Sequence, residues 1–275
     1  MLYIHWNPGF VAFSLGPLSV RWYSLCWLVG LVLAFIVVGQ LYREQKIKGD
    51  LHEKVFIYCF VGVLVGARLG HCLFYEPGYF LSTPKHFIEM LLPIKFTDGW
   101  RCAFVGYEGL SSHGGILGIL IAMWLYCKKT KLYIWFVLDC LGIACTLTGC
   151  FIRLGNLMNS EIIGKPTYLP WAFIFEHVDQ QPRHPAQLYE SLAYLCIFFI
   201  IWFVHKKMPQ KIGTGFFFGL CMILVFVFRF FIEYVKDIQE AFEADMIINM
   251  GQILSIPFII AGILCMRKTK RRIFV

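Results

Sequence analysis

Between Ile152 and Gly164 the chain reads I-R-L-G-N-L-M-N-S-E-I-I-G, with an arginine, two asparagines and a glutamate directly after a long apolar run. Arg153 and Asn156 stand three residues apart, so on one continuing helix they share a face. Asn159 and Glu161 then fall on the turn beyond it. A guanidinium grips a phosphate or carboxylate through two parallel N–H donors, a directional clamp that an ammonium cannot make. Charge at the end of a membrane helix is costly unless paired or solvated, so it marks function by default. The chemistry offered is anion binding at the edge of an apolar slab.

Similar groups recur at the same depth of the other apolar runs. Arg21 and Tyr23 open the first, Arg68 lies in the outer third of the second, and His113 about ten residues into the third. Gln187, Tyr189 and Glu190 open the fifth, Arg229 and Glu233 close the sixth, and Gln252 opens the seventh. Arg229 and Glu233 are spaced i, i+4 and form a pair. Arg68, Arg153 and Arg229 still outnumber the nearby acids. An arginine without a carboxylate at this depth favours a phospholipid phosphate; the plainer alternative is a guanidinium snorkelling onto loop carbonyls. His113 precedes Gly114, Gly115 and Gly118, small residues that let a neighbouring helix or an acyl chain approach closely. A titratable ring there suits a general base, the alternative being a packing histidine. Tyr189 and Glu190 orient that base, cap the pocket or anchor the interface. No second His or Cys stands at ligand spacing, so no metal is expected. Asp139 lies apart from this layer and is expected only to hydrogen-bond between helices.

The 275-residue chain is 59% hydrophobic and 15% charged, with mean hydropathy +0.67. A soluble domain carries about 25% charged residues, so the chain is an integral membrane protein. The net charge of +8 does not indicate nucleic acid, because 15 of the 25 Lys and Arg gather in four short loops or tails. These hold Arg43 to Lys54, Lys128 to Lys131, Lys206 to Lys211 and Arg267 to Arg272, and basic short loops face the cytoplasm. The eleven cysteines form no C-x-x-C and read as packing residues, with Cys72 and Cys102 the one open disulfide candidate. The N-terminus has no basic n-region or early apolar core, so no cleaved signal peptide is expected.

Hydropathy places spans at about 21–42, 55–75, 103–127, 132–154, 185–205, 213–234 and 246–266, each close to the length of a bilayer crossing. The expected fold is an all-α polytopic membrane helix bundle of seven transmembrane helices, N-terminus outside and C-terminus cytoplasmic. Residues 1–275 form a single membrane domain. Residues 76–102, with an amphipathic middle, and 155–184 are its outer loops or small periplasmic head. A transporter or flippase would need polar groups through the full depth and broken or repeated helices, yet the inner halves here are apolar. A passive scaffold would not need arginines from several helices at one depth.

The segment from Ile152 resembles the signature G-R-x-G-N-F-x-N-x-E-x-x-G of the prolipoprotein diacylglyceryl transferase family. Arg153, Gly155, Asn156, Asn159, Glu161 and Gly164 match it; Ile152 and Leu157 depart from it. Further matches are R-W-Y-S-L at Tyr23, G-A-R-L-G at Arg68, H-G-G at His113, R-H-P-A-Q-L-Y-E before Glu190, R-F-F-I-E-Y-V-K at Arg229 and M-G-Q-I-L-S-I-P at Met250. Lys236 stands where some members carry arginine. The resemblance covers nearly the whole chain in order. It implies a bacterial inner-membrane enzyme with its site toward the outer leaflet. The donor would be phosphatidylglycerol and the acceptor the lipobox cysteine of a preprolipoprotein signal peptide. The thiol sulfur would attack the diacylglyceryl C3 carbon, forming a thioether and releasing glycerol phosphate, with no cofactor. Arg153 and Arg229 would hold the phosphate, and either His113 or the arginine field would draw off the thiol proton. Asn156, Asn159, Glu161 and Gly164 would shape the site, Glu233 would position Arg229, and Tyr23 would orient the head group. Arg68, Gly114, Gly115, Tyr189 and Glu190 would line it.

Overall fold

The computed structural model describes residues 3–16, 18–47, 49–92, 94–97, 101–104, 109, 111–237, 246, 248–267 and 271–274. Among the described residues run nine α-helices: α1 Trp22–Glu44, α2 Leu51–Phe74, α3 Pro77–Phe80, α4 Pro84–Leu91, α5 Ser112–Thr130, α6 Ile134–Met158, α7 Ala186–Lys207, α8 Phe216–Ile232 and α9 Met250–Met266. Each expected span overlaps one of them, the third only from Ser112 onward, and the amphipathic middle of residues 76–102 overlaps α4. Four helices, α1, α2, α6 and α7, are long and apolar enough to cross a membrane; α8 and α9 are apolar but shorter, at 17 residues each. At 1.5 Å per residue, 17 residues reach roughly 25 Å, a little under the hydrocarbon thickness.

The structure is mostly helical, as expected, and among the described residues it adds seven short strands: β1 Ile4–Trp6, β2 Val11–Leu15, β3 Leu18–Arg21, β4 Ile94–Phe96, β5 Cys102–Phe104, β6 Phe173–Phe175 and β7 Pro182–Arg183. β6 pairs with β1 in parallel and with β7 in antiparallel, making a three-stranded sheet, while β2–β3 and β4–β5 are hairpins. Runs of two to five residues are too short for a period-2 pattern to stand out. Long-range pairing such as Ile4 with Phe173 leaves no local sign at all.

The contacts group into two compact units, Met1–Lys46 with Trp135–Val275, and Ile47–Ile134. In the first, α6 is the axis, more buried than the other long helices. Thr148 Oγ1 donates to the Gly30 carbonyl of α1 at 3.2 Å, and Cys150 Sγ lies 3.2 Å from Ser191 Oγ of α7. Asp139 has a larger role than expected. Wholly buried on α6, its carboxylate accepts the backbone N–H groups of Gly213 (2.8 Å), Gly215 (3.0 Å) and Phe218 (2.9 Å). The first N–H groups of a helix have no partner within it, so Asp139 caps α8 from a neighbouring helix.

In the second unit α2 and α5 run side by side in backbone contact. A Cβ added to Gly66 would lie 2.4 Å from the Gly114 carbonyl oxygen and 2.7 Å from Gly118 Cα. The glycines after His113 therefore serve the helix approach, the small-residue packing that membranes favour. The segment after α2 is held by Arg68, whose Nε and Nη2 donate to the carbonyls of Met90 (3.2 Å) and Glu89 (2.7 Å), with its guanidinium carbon 4.9 Å above the Phe80 ring. Buried Glu89 in turn accepts Tyr79 Oη–H and the Phe96 N–H. Cys72 is buried and Cys102 exposed, both as free thiols, so the candidate disulfide is not formed.

Candidate active site

Two conformational features carry the signature segment into place. First, α6 continues to Met158, so Arg153 and Asn156 do share a helix face, and Arg153 Nη1 donates to Asn156 Oδ1 at 3.2 Å. Second, Ser160 and Ile162 both adopt positive φ, 55° and 57°. That is an uncommon conformation for any residue with a side chain and a strained one for β-branched Ile162. Between them Glu161 turns back on the helix end. It accepts Asn156 Nδ2 at 3.2 Å and Asn159 Nδ2 at 2.9 Å, while buried Gln187 of α7 donates to its carbonyl oxygen. The polar side chains of the signature thus form one hydrogen-bonded string. Tyr23, at the start of α1, packs on the same helix: a Cβ at Gly155 would sit 2.9 Å from its ring.

Arg153 does not lack a carboxylate, as its sequence context suggests; it pairs with Glu190. Arg153 Nε lies 3.1 Å from Glu190 Oε2, and Glu190 is wholly buried. The other oxygen of Glu190 lies 3.4 Å from Lys236 Nζ, which is 3.2 Å from Glu233 Oε1. Glu233 caps α8, accepts Asn249 Nδ2 at 3.3 Å, and faces Arg229 Nε at 3.9 Å. Five charges therefore alternate in a chain: Arg153, Glu190, Lys236, Glu233, Arg229. Three are cations and two are anions. Arg153, Glu190 and Lys236 side chains are 13%, 0% and 3% exposed, whereas Arg229 is 37% exposed. The open end of the chain is Arg229, and its contact to Glu233 is the longest. Buried Tyr194 stands one turn after Glu190 on α7.

Lys236 was visible in the sequence only as a departure. The signal that could have found it is its i, i+3 spacing from Glu233. What buries it is the crossing of three segments at Gly164. The Gly164 N–H donates to the His184 carbonyl at 3.0 Å, Lys165 N–H to Val235 carbonyl at 2.8 Å, and Gly164 bridges to Lys236 itself. A Cβ on Gly164 would fall 2.5 Å from His184 Cβ and 3.0 Å from the Val235 oxygen. Gly164→Ala is accordingly expected to push the Lys236 segment off Glu190. The catalysed rate should fall about 10²-fold, the cost of a 1 Å misplacement, with the helix content unchanged by circular dichroism. An unaltered rate in that variant would show that the crossing tolerates a methyl group and does not set the site.

Arg183 fastens the same segment from β7, reaching Asp179 at 2.6 Å and Asp237 at 2.7 Å. That hydrogen bond holds the Asp179 carboxyl below its ordinary value. Tyr189 faces the head: its hydroxyl accepts Trp171 Nε1–H at 2.8 Å and lies 3.3 Å from His184 Nδ1. Burial lowers the His184 pKa. In the second unit, His113 is exposed near the start of α5 and, with Phe74, Tyr75, Ser111 and Leu117, lines a cavity of about 390 Å³. Gly114 lines it too, while a Cβ on Gly115 would make ordinary contact with Ala67. Arg68, buried on loop carbonyls, fits the snorkelling alternative.

The profile of the prolipoprotein diacylglyceryl transferase family matches residues 10–267. The chain is 55% identical over 263 residues to the phosphatidylglycerol–prolipoprotein diacylglyceryl transferase of Bacteroides fragilis, covering 96% of this chain and 94% of that one. It is 42% identical over 265 residues to the enzyme of the same name from Tolumonas auensis, covering 96% of each. With that of Chloroherpeton thalassium it shares 38% over 263 residues, covering 95% and 92%.

Proposed function

Because the chain belongs to the prolipoprotein diacylglyceryl transferase family, we propose that the charge chain from Arg153 to Arg229 is where its phospholipid donor is held and cleaved. The enzyme transfers the diacylglyceryl group of phosphatidylglycerol to a prolipoprotein. The acceptor is the lipobox cysteine. Its sulfur forms a bond to C3 of the diacylglyceryl glycerol while the C3–O bond to phosphate breaks, giving a thioether and glycerol phosphate. The thiol proton must leave, since the thiolate is the nucleophile.

The observation that carries this assignment is the surplus cation. Three cations against two carboxylates leave one positive charge for a phosphate, and Arg229 is the exposed end that would take it. Arg153 is locked in one rotamer by Glu190 and Asn156, so its remaining N–H donors are aimed before substrate arrives. Donors fixed in advance at a developing negative charge stabilise the transition state without reorganising. Glu233 and Lys236 position Arg229 from behind. Asn156, Asn159, Glu161 and Gly164 shape the floor on which Arg153 stands, with Tyr23 packed against it. Glu190, far from capping a pocket, is the buried counter-ion that allows two cations at this depth. Tyr189 belongs with Trp171 and His184 in the head.

His113 is the proposed base. His113→Gln should slow transfer about 10²-fold with the Michaelis constant for lipid nearly unchanged; a rate equal to that of the parent would reduce His113 to a surface residue. The full assignment is tested by incubating the purified chain with phosphatidylglycerol and a lipobox peptide. Mass spectrometry should find the thioether and glycerol phosphate. Moved lipid without product would indicate a flippase, and neither a scaffold.

We place all seven spans across the bacterial plasma membrane, N-terminus outside and C-terminus cytoplasmic, with the site toward the outer leaflet. Support comes from basic residues closing α1, α5 and α7 (Arg43, Lys128 and Lys129, His205 to Lys207), as inward-facing ends require.

A further inference from the structure

The contact of α2 with α5 leaves a long hollow on the surface of the pair. With glycines at 62, 66, 70, 114 and 118, larger residues on either side stand up as walls, and the trough between them has a volume of about 620 Å³. It runs from Tyr58 to Phe74, sixteen residues of helix or roughly 24 Å. Its walls include Ile57, Val61, Ile121 and Leu125. At the Tyr58 end it meets a second hollow of about 430 Å³, lined by Leu51, Lys54, Tyr58, Lys129 and Thr130. An apolar trough thus opens at one end onto two lysines.

We propose that this is a binding site for an anionic phospholipid, built by α2 and α5 from residues none of which belongs to the charge chain. The phosphate sits between Lys54 and Lys129, and one acyl chain lies in the trough over Gly62 and Gly118. Three features select this occupant. A volume of 620 Å³ suits a small apolar ligand, while a transmembrane helix, at 10–12 Å across, is too thick to be contained. The lining offers almost no hydrogen-bonding group, so a polar ligand would lose its partners there. The cationic side chains lie at one end, where Lys54 and Lys129 line the hollow, and the acids close by in sequence are Asp50 and Glu53. Lys54 already meets Asp50 at 2.9 Å, leaving Lys129 as the principal contact. Tyr126 fixes this end by donating to the Leu51 carbonyl at 2.8 Å. Basic hollows between membrane helices select anionic head groups in this way.

The test uses the full chain with Arg153→Gln and Arg229→Gln, which removes the lipid of the catalytic site. Native mass spectrometry from detergent is performed with added dioleoylphosphatidylglycerol or dioleoylphosphatidylcholine. One phosphatidylglycerol should remain bound at least about 10-fold more often than phosphatidylcholine. Adding Lys54→Gln and Lys129→Gln should erase that preference. Leu125→Trp, which fills the trough and keeps both lysines, should lower retention of either lipid. Equal retention of the two lipids by the parent, or a preference that survives loss of both lysines, would overturn the site.

Discussion

Arg153→Ala should lower the transfer rate on the order of 10³-fold, the loss seen when a fixed donor to a developing anion is removed. It should also destabilise the fold. Glu190 is wholly buried and meets only Arg153 and Lys236 among the ion pairs of the described residues, so truncating Arg153 strips one of its two counter-ions. Breaking a buried pair from one side costs about 3–5 kcal/mol. Arg229→Ala should remove comparable rate and almost no stability, because its side chain is 37% exposed and 3.9 Å from Glu233. Arg229→Lys keeps the charge but not the two parallel donors, and should recover part of the rate. The measurement is kcat and kcat/KM for phosphatidylglycerol, alongside denaturant unfolding in micelles. Full activity in either alanine variant removes the phosphate assignment. Equal destabilisation by both would contradict the buried and open ends of the charge chain.

Asp139→Ala should produce the largest stability loss without touching the chemistry. Three backbone N–H groups at the start of α8 lose their acceptor, at about 1–3 kcal/mol for each buried donor left unpaired. The carboxylate also opposes the positive end of the helix dipole. The three donors together amount to about 3–9 kcal/mol, less in Asp139→Asn, which retains one acceptor oxygen. The unfolding midpoint in micelles should drop sharply while the residual folded protein keeps its specific activity. A midpoint within error of the parent would mean that α8 finds its cap elsewhere.

The spans were legible because hydropathy over twenty residues is a local sum. Each expected span overlaps a helix, and four of those helices are long and apolar enough to cross a membrane; α6 runs on past its expected end to Met158, while α5 begins only at Ser112, nine residues after the expected start, where β5 lies instead. The strands were not legible. β1 and β6 are 3-residue segments more than 160 positions apart, and their pairing depends on the head folding around them. The pair Arg229 and Glu233 could be read from spacing. Arg153 with Glu190 could not, because they belong to different helices. For the same reason Arg68 looked like a phosphate ligand until the Glu89 and Met90 carbonyls were seen to occupy it.

The chain alone determined which residues carry charge in an apolar protein and at what depth along each helix, since the cost of burying charge restricts where such residues occur. It also determined the family, through motifs spread over nearly its whole length. Only the tertiary structure decided partnership. Glu190 balances Arg153 and Lys236 because α6, α7 and the segment after α8 converge, and Gly164 lets that convergence close. Electrostatic pairing acts over a few ångströms in space, and sequence separation carries no measure of that distance.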